Sequence, residues 1–141
     1  MTSAITQDII LRRVKVTKNH DDFDIAAQSN TINVGSPIPA NAQVLSLSVE
    51  CTEAPSGGGV VSYDMQVGDA VDSAGFVTAE DHIALGTGVY QAYGAYITTA
   101  IGFDDASKQI TATVTVDGAH NTEDVTAGEW TFRILYAQFG D

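Results

Sequence analysis

Three histidines, one cysteine and four pairs of adjacent acids are the side chains on which chemistry could be built in this 141-residue chain. His20 precedes Asp21 and Asp22, His82 follows Glu80 and Asp81, and His120 precedes Glu123 and Asp124. Imidazole and carboxylate together can ligate zinc or a similar ion. The three histidines are far apart, however, and fit no local zinc spacing. None has a serine or cysteine spaced as in a known nucleophile motif. They read as solvated loop histidines. Cys51 shares the apolar phase of a strand with Leu45, Leu47 and Val49, so it reads as a buried, inert thiol. Asp21-Asp22, Glu80-Asp81 and Asp104-Asp105 read as loop charges, because a glycosidase pair needs two carboxylates held apart by different elements. The acidic segment Gly68–Gly75 carries oxygen ligands that suit calcium, but with two carboxylates and no EF-hand spacing it reads as a tight polar turn. No catalytic residue, metal or cofactor is expected, and the chain does not read as an enzyme. Tyr90 and Tyr93, within Gly88–Gly94, suit either a sugar platform or a packed subunit interface.

The elements that position these groups are strands. Val, Ile and Thr total 40 residues against 5 Leu, and β-branched side chains favour a pleated surface over a helix. Alternation is clearest where Ile110, Ala112, Val114 and Val116 interleave with threonines, and where Trp130, Phe132, Ile134 and Tyr136 interleave with Thr131, Arg133, Leu135 and Ala137. Leu45–Cys51, Val61–Val67 and Ile10–Thr17 follow the same rule. Weaker strands are expected at Asp22–Ala26, Thr31–Val34, Phe76–Thr78 and Tyr96–Ile101, with a helical turn or two around Thr78–Leu85. Pro55-Ser56-Gly57-Gly58-Gly59 reads as a loose hairpin between the Val44 and Val61 strands. About eight short strands, each with one polar face, predict an all-β, antiparallel sandwich of jelly-roll type. Residues 1–8 lack a pattern and read as an irregular N-terminal arm, leaving residues 9–141 as a single β-sandwich domain.

Charge is unevenly placed. Eighteen acids against six bases give a formal net charge of -12, which excludes nucleic acid and anionic membranes as direct partners. No segment approaches the roughly 18 apolar residues of a membrane span, and the N-terminus lacks a leader pattern. Four of the six bases, Arg12, Arg13, Lys15 and Lys18, lie near the N-terminus, whereas residues 19–107 hold twelve acids and no Lys or Arg. Such polarity orients a protein against an acidic partner.

One pattern spans residues 39–137: Pro39–Leu45, Val67-Gly68-Asp69, Ala74–Asp81, Gly88-Val89-Tyr90, Tyr96, Ile110–Val114, Thr126–Trp130 and Tyr136. It resembles the head decoration, or cement, proteins of tailed bacteriophages. The resemblance implies a non-enzymatic virion protein, assembled in the host cytoplasm, that binds the outer lattice of the major capsid protein as a homotrimer. The docking candidates are Thr2, Ile5 and Asp8 of the arm and the cluster Arg12, Arg13, Lys15 and Lys18. An alternative of a different class is a phage tail or fibre β-sandwich that recognises a host-surface glycan through Tyr90 and Tyr93.

Overall fold

Strands form where β-branched and polar residues alternate: β1 (Ile9–Asn19), β2 (Ser29–Asn33), β3 (Ala42–Ser56), β4 (Tyr63–Gly68), β5 (Val77–Asp81), β6 (Gly88–Tyr90), β7 (Thr111–Val116) and β8 (Ala127–Phe139). Helical structure is limited to α1 (His82–Leu85), α2 (Ala95–Thr98) and 3-10 turns at His20–Phe23 and Thr122–Asp124. This computed structural model describes residues 9–91, 93–98 and 106–139. Thr2, Ile5 and Asp8 therefore lie outside the described residues, as do Asp104 and Asp105.

Two four-stranded antiparallel sheets are formed, in the orders β1-β8-β3-β6 and β2-β7-β4-β5. The pairings β1 with β8, β2 with β7, β3 with β6 and β4 with β5 describe one long antiparallel hairpin. Contacts of β3 with β8 and of β4 with β7 roll that hairpin into two layers. The result is the expected jelly-roll sandwich, which carries a wet outer face on each sheet.

Several local expectations are corrected. The Pro55–Gly59 turn is not a hairpin: β3 and β4 belong to different sheets, and the turn carries the chain from one layer to the other. Asp22–Ala26 is not a strand. Asn19 Oδ1 accepts from the Asp21 amide at 3.0 Å and Asp22 Oδ2 accepts from the Asn19 amide at 2.9 Å, a reciprocal cap that starts a 3-10 turn and ends β1. Residues 96–98 of the expected Tyr96–Ile101 strand belong to α2 instead, and residues 99–101 lie outside the described residues. Val61 precedes β4 and is exposed, its amide held by Asp117 Oδ2 at 2.8 Å.

The core lies between the inner faces. Leu47, Val49 and Cys51 of β3 and Trp130, Phe132 and Ile134 of β8 meet Tyr63, Met65 and Val67 of β4 and Ala112, Val114 and Val116 of β7. Leu45 departs from its expected phase. A register shift between Val44 and Ser46 turns Val44 inward and leaves Leu45 42% exposed, because an extra bulge residue reverses the alternation. We predict that Leu47→Ala lowers the unfolding free energy by about 2–5 kcal/mol, whereas Leu45→Ala changes it by less than about 1 kcal/mol. Urea titrations of both variants check this, and equal losses would remove the bulge from the account.

Candidate docking surface

The outer face of the first sheet gathers the cations. Along β1 the side chains alternate, so Arg13 and Lys15 face outward and exposed, while Arg12 and Lys18 share the inward phase of Val14 and Val16. The register sets Lys15 opposite Arg133 and Arg133 opposite Ser48; one row along, Arg13 meets Leu135 and Leu135 meets Ser46. A groove of about 430 Å³ runs here, lined by Arg13, Lys15, Arg133, Ser46, Ser48 and Leu135 among others. Half of the chain's six cations thus share one face. Among the described residues, the acid fixed to them is Glu50, whose Oε1 accepts from Arg133 Nη1 at 2.6 Å and so holds one end of the guanidinium fork. Arg133 was not singled out from sequence. Its outward phase in the Trp130–Tyr136 run was visible there, but its neighbourhood with β1 depends on pairing across more than 100 residues.

The remaining candidates are occupied by structural work. His82 is not a solvated loop residue: it is 1% exposed, its Nδ1 accepts from Trp130 Nε1–H at 2.8 Å, and its ring stacks on Tyr90 at 4.4 Å. Asp81 caps α1 by accepting from the Ile83 amide at 3.0 Å and also accepts from the Tyr63 amide at 3.0 Å. Tyr90 is half-buried, with its hydroxyl donating to the Gly86 carbonyl. Tyr93 is exposed and bridges to Val77. His120 Nδ1 lies 2.6 Å from Asp117 Oδ1. The Val61 amide and the His120 ring hold the Asp117 carboxyl down at about 2, and the bond to Asp117 raises the His120 imidazole. Burial pushes the Cys51 thiol up to about 11, as an inert core thiol requires.

The Gly68–Gly75 turn is tied by its own donors. Asp69 Oδ1 accepts from the Val71 and Asp72 amides at 3.0 and 2.9 Å and from the Tyr96 hydroxyl at 2.9 Å, while Lys108 Nζ stands 3.4 Å from Oδ2. Burial alone raises the Asp69 carboxyl, but these donors outweigh it and hold it below its ordinary value. The ammonium of Lys108 is the cation of this turn, and it also lies 4.5 Å from the centre of the Tyr96 ring. Among the described residues, no group of three His, Cys, Asp or Glu side chains is arranged to hold a metal, and no histidine hydrogen-bonds to a serine or cysteine.

No protein-family model and no curated protein matches the chain. Solved structures do share its fold. A chain of the cyanophage Pam1 capsid asymmetric unit aligns with a TM-score of 0.57 and 12% identity, over 98% of this chain and 90% of that one. A chain of the acid-stable capsid of Helicobacter pylori bacteriophage KHP30 aligns with a TM-score of 0.58 and 14% identity, over 94% and 93%. A chain of the Ralstonia phage GP4 capsid aligns with a TM-score of 0.53 and 18% identity, over 99% and 90%. The fold is therefore that of phage capsid components, reached by a very different sequence.

The His82–Trp130 bond predicts a specific acid sensitivity. Burial lowers the His82 pKa from 6.5 to about 4, and its Nδ1 must stay unprotonated to accept from Trp130. Between these pH values the unfolded chain binds a proton that the folded chain refuses, so stability falls as pH falls, by about 3 kcal/mol in all. His82→Gln keeps an acceptor and does not titrate. Its unfolding free energy, measured against urea from pH 7 to pH 4, is expected to fall less steeply than that of the parent. Parallel profiles would assign the loss to other groups.

Proposed function

We propose that this chain is a non-enzymatic virion protein that decorates and stabilises a bacteriophage capsid by binding the outer lattice of its major capsid protein. The observation that carries this is the rolled sandwich, shared over at least 94% of the chain with chains of three phage capsids. The charge arrangement supports it. A molecule of net charge -12 approaches an acidic surface best through a face on which cations outnumber acids, and the Arg13, Lys15 and Arg133 face, with Glu50 bound to Arg133, is such a face. Thr2, Ile5 and Asp8 of residues 1–8, together with Arg12, Arg13, Lys15 and Lys18, are the docking residues of this proposal. A homotrimer fits it as well, since a ring of three repeats one weak contact until many act together. The outer surface of the particle is the location that follows.

The glycan alternative has less support. One face of the Tyr90 ring is already stacked on His82 and its hydroxyl is tied to Gly86, which removes it as an open stacking platform.

The test is co-sedimentation with capsids of the phage that encodes the chain, stripped of accessory proteins. The parent chain is expected to pellet with particles. Removal of residues 1–8, or the pair Arg13→Glu and Lys15→Glu, is expected to weaken binding by about tenfold or more, and the effect of the charge pair is expected to shrink as salt rises. Sedimentation equilibrium is expected to give three times the 14.8 kDa chain mass. A chain that never pellets with particles at any salt would sink the proposal.

A further inference from the structure

We propose that the open edge of β1 is a strand-addition site that receives an extended, acidic segment of another protein. Among the described residues, β1 is the first strand of its sheet and pairs with β8 alone. Alternate N–H and C=O groups along its 11 residues therefore point away from β8, and no backbone group among the described residues pairs with them. The other sheet edges are short: β6 has 3 residues, and β2 and β5 have 5 each. Part of β5 is also bridged by Tyr93. A long edge strand is a template for a further strand, and proteins usually blunt it with charge or a cover.

The side chains on this edge choose the guest. At its N-terminal end Ile9 is 58% and Leu11 63% exposed, with Ile10 exposed beside them, which is the reverse of a guarded edge. Further along come Arg12, Arg13, Lys15 and Lys18, and the strand holds no acid. A second copy of β1 is a poor guest in the registers that overlap its cations. A two-fold antiparallel pair centred on Val14 sets Arg13 against Lys15 twice; centred on Lys15, it sets Lys15 against itself and Arg12 against Lys18. Like charges directly opposite destabilise a pair. The cations thus disfavour self-pairing and favour an acidic strand. Alternation specifies the guest further. Opposite Arg13 and Lys15 it carries acids on the outer face, where Arg133 adds a third cation. Opposite Val14 and Val16 it carries apolar residues toward the inner side, and opposite Ile9 and Leu11 apolar residues again. Main-chain bonds would supply affinity and the alternating side chains selectivity. The inference rests on the capsid proposal only for the protein that supplies the segment.

The test uses the full chain and a short fluorescent peptide alternating glutamate with valine. Saturable binding by anisotropy is expected, with slowed amide exchange confined to β1. The same peptide N-methylated at alternate amides keeps its charge but cannot extend a sheet, and its binding is expected to fall at least tenfold. Arg13→Glu with Lys15→Glu is expected to weaken the unmodified peptide by about tenfold. Equal binding of the two peptides would show attraction by charge without strand addition and overturn the proposal. So would exchange protection away from β1, an absence of binding, or β1 protection that grows with protein concentration alone and reports pairing between copies. Capsid co-sedimentation is scored separately: it can fail while the peptide binds, which dismisses the capsid and keeps the edge site.

Discussion

Trp130 is the point through which both layers and two of the crossing segments are joined. It projects from β8 into the core and is fully buried. Its ring stacks on Tyr63 of β4 at 5.1 Å and 8°, which ties the first sheet to the second. Phe23, at the end of the 3-10 turn after β1, meets both rings edge-on. The indole N–H, which needs a partner once buried, finds it in His82 at the start of α1. Burial of one large aromatic is worth roughly 4–6 kcal/mol at 150–250 Å² and 25 cal/mol per Å², and each well-placed ring pair adds about 0.5–1.5 kcal/mol. The turn after β1, the start of β4 and the crossover into α1 all take their positions from this side chain. Gly128 shows how tightly it is held: a Cβ there would lie 2.7 Å from the Trp130 ring.

With the interior fixed, strand alternation decides what the surface presents. Two residues apart on β1 means the same face, so four neighbouring cations divide into an outward pair and an inward-phase pair. Arg133 joins the outward pair only because β8 lies beside β1. Many acids collect elsewhere, on the turns at His20–Phe23 and Thr122–Asp124 and around β5, while Glu50 of β3 and Glu129 of β8 share the first sheet with the cations. Hence an acidic protein carries one basic sheet face, and the separation of sign comes from topology as much as from composition.

The class of fold was legible in the sequence because its cause is local. Alternation over Ile110–Val116 and Trp130–Tyr136 identifies strands whatever they pair with, and both runs bury the side chains expected of them. What was not legible depends on long-range pairing or on a single residue of register. Leu45 reads as core until the bulge beside it reverses the phase. Pro55–Gly59 has hairpin composition but spans two layers, which only sheet membership reveals. Asp22–Ala26 reads as a strand until the reciprocal Asn19–Asp22 cap is seen. His82 follows two acids in sequence, which suggests water, yet its partners Trp130 and Tyr90 come from other elements. The basic sheet face was half visible: the β1 cations were evident, and the contribution of β8 was not.

The pairing of β1 with β8 also dictates an order of events during synthesis. Each residue of β1 waits for a partner that lies 110 to 130 positions later in the chain. At roughly 5–20 residues per second, a ribosome takes on the order of ten seconds to supply it. Throughout that interval β1 lacks both neighbours, and its run of Ile9, Ile10 and Leu11 is open on either side. Fold completion is thereby tied to translation of the last strand, and a chain interrupted before β8 presents a doubly open β1 to any protease or chaperone that reads extended apolar backbone.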